Sequence, residues 1–274
     1  MSRTSIATAT TFALLGADAA LVPASAQVAY ELPSPSSAVY QVADTSEIVV
    51  DSPAGLLEVA SASATTLTLS FRRDGGRLQV SGTIDAFAGS VSDPMSGSTS
   101  VDESATAGIL ELELGRTGIG QVVSVPRLVG GGGQLNPFRF MPYQLFPRLP
   151  GDDVQPGDTW ADTVVWSSSG PGPRDRITTI YGYTVAGDEV IDDRKLTRIA
   201  VSGTIDSRTS SDQGGLPLTH ELAGTIAGFL LWDPDRGLVA AAELQRDMNG
   251  TTSGAGLGEF PLSLSGTVRV QLEG

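Results

Sequence analysis

Cysteine is absent from this chain, and histidine and lysine occur once each, as His220 and Lys195. Without cysteine there are no disulfides, zinc–thiolate sites, thiol catalysis or lipid-modified N-terminal cysteine. One histidine leaves a His-based transition-metal site short of ligands. A Ser-His-Asp triad would need His220, which sits in "LPLTHELAG" with no Gly-x-Ser-x-Gly elbow nearby or elsewhere. A partly exposed strand residue is the simpler reading of His220, and no catalytic residue is assigned.

Charge and aromatics are also sparse, at 18% and 6%. The balance is acidic, with a formal net charge of −14, which repels phosphate backbones and anionic lipid surfaces. Nucleic acid is therefore not an expected partner. Residues 27–274 contain no run of about 18 apolar residues, the minimum for a spanning helix. "GGGG" at 130–133 lacks the lysine and helix of a phosphate loop. No cofactor is implied.

What is present points to export and to β-structure. Arg3, the apolar "IATATTFALLGADAALV" (6–22) and "ASA" (24–26) follow the pattern of a secretory signal peptide cleaved near Ala26. Residues 1–26 are read as that signal, and a disulfide-free mature chain suits a bacterial periplasm or exterior. Abundant Gly, Ser and Thr with few helix formers favour strands.

The hexamer "VSGTID" stands at 80–85 and again at 201–206. In context both alternate with period two, apolar Val80, Gly82 and Ile84 against polar Ser81, Thr83 and Asp85, the mark of a half-buried strand. Looser copies at 221–232 and 261–272 also carry a glycine on the apolar face, so Gly82, Gly203, Gly224 and Gly266 form a set. Glycine weakens a strand unless something needs the room. Strong sheet curvature or a large side chain lying across the face would supply the need.

The surroundings of the hexamer repeat too. "TTLTLSFRRDGGRLQVSGTID" (65–85) resembles 178–206, and "AGILELELGRTG" (107–118) resembles "AGFLLWDPDRG" (227–237) in placement. An internal duplication is expected, with an N-terminal β half at 27–128 and a C-terminal half at 151–274, as two units or one domain. Short polar breaks at "RDGG" (73–76), "AGDEV" (186–190) and "DPDRG" (233–237) mark antiparallel turns. The expected fold is all-β: an antiparallel meander of about twelve strands forming a curved sheet, a half-barrel or two packed β units.

Between the halves, 129–150 combines a Gly-rich joint with a dense aromatic segment, Phe138, Phe140, Tyr143 and Phe146. Asn136 and Pro137 can start a short helix that Pro142 and Pro147 keep brief. Such a segment is expected to plug one end of the β core.

"FPRLPGDDVQPGDTW" (146–160) resembles a segment recurring in exported bacterial β proteins of unknown function, Phe-Pro-x-Leu-Pro followed by Val-x-x-Gly-Asp-x-Trp. The resemblance covers about fifteen residues. It implies an exported β protein and supplies no catalytic residues. In pattern alone, the chain also resembles periplasmic lipoprotein-carrier folds, which curve an antiparallel sheet into a half-barrel around an apolar cavity closed by a helical plug.

The carboxylates fall mostly where turns are expected, at 151–153, 158, 188–189, 192–193, 233 and 235, and turn chemistry explains them. "DPDRG" lacks the six or more oxygens of a calcium loop. Asp85 and Asp206 are candidates for an acid pair related by the repeat, or solvated strand-end residues. Trp160 and Trp166 share a face of "TWADTVVW" with Asp162, so that strand is expected to be bulged or two-faced.

The functional expectation is a non-enzymatic exported protein holding an apolar, lipid-like ligand between sheet and plug, lined by Phe138, Phe140, Tyr143, Phe146 and the four glycines. The rival is a structural or protein-interaction module with a filled core; a hydrolase using acidic residues is the third reading. Side chains filling the volume beneath Phe138–Phe146 would favour the structural one. No protein partner is indicated.

Overall fold

The computed structural model describes residues 26–53, 55–94, 97–129, 137–168, 174–213, 216–254 and 258–273. Residues 1–25 of the signal-peptide reading and residues 130–136 of the Gly-rich joint, Asn136 among them, lie outside these. In chain order the elements begin with β1 (Ala26–Gln27), β2 (Ser37–Ser52), β3 (Gly55–Asp74), β4 (Arg77–Asp93) and β5 (Gly97–Asp102). Next come β6 (Thr106–Ala107), β7 (Leu110–Gly115), β8 (Gly118–Ser124) and β9 (Arg127–Leu128). A 3-10 turn at Pro137–Arg139 and α1 (Met141–Leu145) form the plug. The chain then runs through β10 (Asp153–Val154), β11 (Thr159–Ser167), β12 (Arg174–Ile191) and β13 (Arg194–Gln213). It ends with β14 (Leu216–Asp233), β15 (Leu238–Gly254) and β16 (Gly258–Leu272).

Twelve strands share one sheet, in the order β11-β12-β13-β14-β15-β16-β2-β3-β4-β7-β8, with β5 beside the far part of β4. All pairings are antiparallel, and the sheet curls into an open half-barrel. The two sequence halves form one sheet, joined where Leu262–Leu272 of β16 pairs with Tyr40–Val50 of β2. Strands of up to 20 residues span about 66 Å at ~3.3 Å per residue.

The alternation read from the hexamers holds in three dimensions. Val80 and Val201 are buried, while Ser81 and Ser202 face solvent. The two copies lie in β4 and β13, each third from its own end of the sheet. Their pairings to the next strand differ in register. Gly82 pairs with Leu110 and Gly203 with Ile226, whereas the shared Ala-Gly would match Leu110 to Leu230.

Two of the three expected turns close hairpins as read. "AGDEV" does not. β12 runs through it, with a register shift between Val185 and Gly187 and a φ of +131° at Gly187. Glycine there makes a bulge. The hairpin turns later, at Asp192 and Asp193, with φ of 50° and 62°, the left-handed pair that a two-residue loop requires. β11 is also more regular than expected, unbroken in register from Thr159 to Ser167 with Trp160, Asp162, Val164 and Trp166 on its inner face.

Curling brings adjacent strands close on the inner face. A Cβ added at Gly203 would strike the Ile180 carbonyl, at Gly224 the Asp247 carbonyl, and at Gly250 the Glu221 carbonyl. At Gly266 it would lie 2.7 Å from Thr45 O and 2.9 Å from Arg246 Nε. Gly82 instead makes room for the Leu69 side chain. Neighbouring backbone is thus what most of these glycines face. Gly224→Ala is expected to destabilise the fold by about 3 kcal/mol through forced backbone shifts. Gly76→Ala, whose Cβ meets nothing within 4 Å, is expected to stay within about 0.5 kcal/mol of the parent. Urea unfolding of both variants checks the difference.

Candidate functional site

The plug fills one end of the curled sheet. Phe138, Met141, Leu145, Phe146 and Leu149 are 0–1% exposed. The Phe138 ring packs 5.2 Å from Phe87 of β4, and Phe146 packs 5.9 Å from Tyr30 and 6.3 Å from Phe71. Tyr30 in turn meets Trp232 edge-on at 5.5 Å. Side chains buried this completely leave no room for a guest beside them, so the volume against Phe138 and Phe146 is occupied by the chain itself.

Phe140 and Tyr143, the other two aromatics of the plug, are half-buried. Phe140 lies 5.7 Å from Trp166 of β11, and Arg139 stacks over the same indole at 4.7 Å. Arg139 also pairs with Asp175 of β12 at 3.0 Å, with both groups largely buried. Residues 138–140 therefore run from β4 to β11 and β12. Of the eight candidate lining residues, the aromatics gather in this plug, whereas the four glycines lie along the sheet against leucine or backbone.

The segment resembling the exported-protein motif has a structural role that sequence could not supply. The sheet's edges, β8 and β11, are not paired with each other, and residues 146–160 bridge them. Leu149 N donates to Thr117 O beside β8 at 2.9 Å. Trp160 Nε1 of β11 donates to Arg148 O at 2.8 Å. Tyr30 OH donates to Pro147 O at 2.8 Å, and β1 pairs with β10. Asp158 accepts from Gln155 N at 2.8 Å and shapes the turn at Gly157, whose φ is +96°. Every bond fixes backbone. The motif is a clasp.

Beyond the plug the inner face carries a polar row. Ser61, Ser46, Gly266 and Arg246 stand side by side across β3, β2, β16 and β15, with Asp44 one row nearer the plug. Arg246 pairs with Asp44, and Ser46 and Ser61 hydroxyls meet at 2.7 Å. Burial raises the Asp44 pKa, and the Arg246 charge opposes it. Past this row lie two aliphatic rows, Val59-Ile48-Leu264-Met248 and Leu57-Val50-Leu262. Met248 and Leu262 are buried and the others half-buried.

The candidate chemical groups do not assemble. Asp85 and Asp206 face outward on strands separated by five others, and Asp85 accepts from Thr68 Oγ1 at 2.7 Å. His220 pairs across the inner face with Thr209 and Thr252, and no carboxylate faces it in register. Asp233 accepts from the backbone N of Asp235 and Arg236 at 3.0 and 3.1 Å, which is turn chemistry. Among the described residues, no three His, Asp or Glu side chains gather as metal ligands. An open groove of about 490 Å³ lies across β3, β2, β16 and β15 around Thr45, Ala60, Gln245 and Ser265, and its walls are mostly polar, with Glu47, Arg246 and Asp247 among them.

No family model matches the chain, and no curated protein does. Among solved structures, an outer membrane channel of Pseudomonas putida F1 aligns over 89% of this chain and 97% of its own at 10% identity, with a TM-score of 0.25. OccAB2 of Acinetobacter baumannii aligns over 88% and 99% at 8% identity and TM-score 0.27. OpdK, an outer membrane protein of Pseudomonas aeruginosa, aligns over 86% and 99% at 7% identity and TM-score 0.26. Scores this low carry no argument. The face polarity does. A spanning barrel needs an apolar outward band, whereas the outward face here exposes Glu47, Glu58, Asp206, Arg208, Asp247 and Arg269. Its small apolar cluster, Leu196, Leu231 and Ala240, sits at one end of β13–β15.

Two measurements test these contacts. Trp160→Phe is expected to cost about 2 kcal/mol, through the lost bond to Arg148 O and a weaker stack on Tyr183; urea unfolding reads it. Burial lowers the His220 pKa below 6.5, so the unfolded chain binds that proton more tightly than the folded one. His220 therefore costs no stability well above pH 6.5, and stability falls as pH drops from there toward the folded value. His220→Gln should flatten this part of the curve of unfolding free energy against pH.

Proposed function

We propose that this chain is an exported, non-enzymatic structural protein of the bacterial cell envelope whose curled sheet is filled by its own side chains. The observation that carries the reading is the near-complete burial of Phe138, Met141, Leu145, Phe146 and Leu149. A guest beneath the plug would have to displace them. The dispersed carboxylates and the uncoupled His220 supply no catalytic constellation among the described residues. Export rests on the sequence pattern at residues 1–26 and on the segment at 146–160.

A second reading keeps the apolar ligand but moves it. The half-buried aliphatics Ile48, Val50, Leu57, Val59 and Leu264 line the inner face past the polar row and lie outside the cluster that packs around the plug. An acyl chain along these rows would meet apolar walls. Native mass spectrometry of protein from a bacterial host, with organic extracts analysed in parallel, separates the two. The structural reading expects the bare chain mass and no binding of a fluorescent fatty-acid probe. A co-purifying lipid, lost on Leu264→Glu with the fold intact, would replace it with the carrier reading.

A further inference from the structure

At the sheet's free edge, β11 and β12 place four inner-face residues at the corners of a rectangle. Trp160 pairs with Tyr183, and Asp162 with Tyr181. Three corners are aromatic and the fourth is a carboxylate. The Trp160 and Tyr183 rings stack at 5.3 Å and 14°, and Tyr181 continues the stack at 6.0 Å and 25°. Tyr143 of α1 lies within electrostatic reach of Asp162. Burial raises the pKa of Tyr143, and the negative charge of Asp162 raises it further, as it does those of Tyr181 and Tyr183.

Asp162 differs from the other carboxylates set into this interior. Asp44 has Arg246, and Asp175 has Arg139. Asp162 makes no ion pair or hydrogen bond among the described residues, although it is half-buried on the inner face. A carboxylate turned toward aromatic side chains with no paired cation attracts a counter-charge. The nearest cation whose charge is felt here, Arg246, acts on Tyr181 but is engaged with Asp44, and among the described residues none pairs with Asp162. Trp160, Tyr181, Tyr143 and Asp162 are all half-buried, so each keeps some surface open to solvent.

We propose that this corner binds an organic ammonium ion, with Asp162 supplying the opposite charge and Tyr181, Tyr143 and Trp160 supplying cation-attracting ring surface. Aromatic faces attract cations electrostatically, and quaternary ammonium groups, which hydrate weakly, are the usual guests of such surroundings. A divalent metal is a poor fit, because among the described residues no three His, Asp or Glu side chains gather around Asp162. The acidic surface adds long-range attraction for cations. Trp160 and Tyr181 pack against the same core as Phe138 and Phe146 but stay half-buried, so the site does not require that packed volume to open.

The competing account is that Asp162 guards an open edge, since an inward charge on an edge strand discourages strand pairing between molecules. Titration of the full chain with tetramethylammonium chloride separates the two, read by tryptophan fluorescence and by line-broadening of the methyl proton signal. Sodium chloride at matched ionic strength and tert-butanol, a neutral compound of similar shape, serve as controls. The expected result is a saturable response to tetramethylammonium and to neither control. Asp162→Asn should weaken it at least tenfold, and Tyr143→Leu should weaken it while leaving the circular dichroism spectrum unchanged. Absence of saturation, an equal response to tert-butanol, or unchanged affinity in Asp162→Asn would overturn the proposal. So would a folded Asp162→Asn that self-associates while the parent chain binds no tetramethylammonium.

Discussion

A single sheet has two faces, and this chain carries apolar residues enough for one. The apolar face must therefore turn in on itself. Tight coiling drives each strand's backbone toward its neighbour, and a side chain on the inner face would block that approach. Glycine at 203, 224, 250 and 266 removes the block where carbonyls of Ile180, Asp247, Glu221 and Thr45 come closest. At Gly266 the vacated space also takes the Arg246 guanidinium. The same missing Cβ thus permits the curl and seats the charge that divides the interior.

Curling without closing leaves two edges facing one another. β8 is short, and its pairing with β7 shifts register twice, which blunts it as a template for foreign strands. β11 is regular and would be more adhesive, but it carries Asp162 inward. At the plug end the gap is bridged by backbone hydrogen bonds from 146–160, together with Tyr30 and the short β1–β10 pair. The aromatic plug supplies the apolar mass behind that bridge. Neither part can replace the other, because Phe138 and Phe146 bury area while Pro147, Arg148 and Leu149 present backbone groups to both edges.

Much of this was legible in the sequence because period-two alternation is local. The hexamers, the hairpins at 73–76 and 233–237 and the short aromatic helix needed only a few residues to declare themselves. The failures are non-local. "AGDEV" has turn composition, but the partner strand decides whether a glycine makes a bulge or a loop, and β13 pairs on both sides of Gly187. The inward glycines raised the right question, yet their neighbours come from other strands at distances no window contains. The clasp was visible as a motif and silent as to purpose, because its bonds to the rest of the chain end on Thr117 and Tyr30. The Asp44–Arg246 pair joins residues 202 positions apart, with nothing in either local pattern to announce it.

That pair also bears on how so repetitive a sheet finds one register. Strands rich in Ser, Thr, Ala and Val resemble themselves when shifted by two residues, and such a slip keeps every side chain on its proper face. Hydrophobic burial alone discriminates weakly among these registers. A slip of β15 against β16 would carry Arg246 away from the space at Gly266 and from Asp44, leaving two charges unpaired in the interior. Breaking a buried pair costs far more than forming it gains. The polar row between the aromatic core and the aliphatic rows therefore contributes little to stability as such and much to which of several similar sheets is formed. Its position fits this role: at mid-strand, a charged pair penalises slips in either direction.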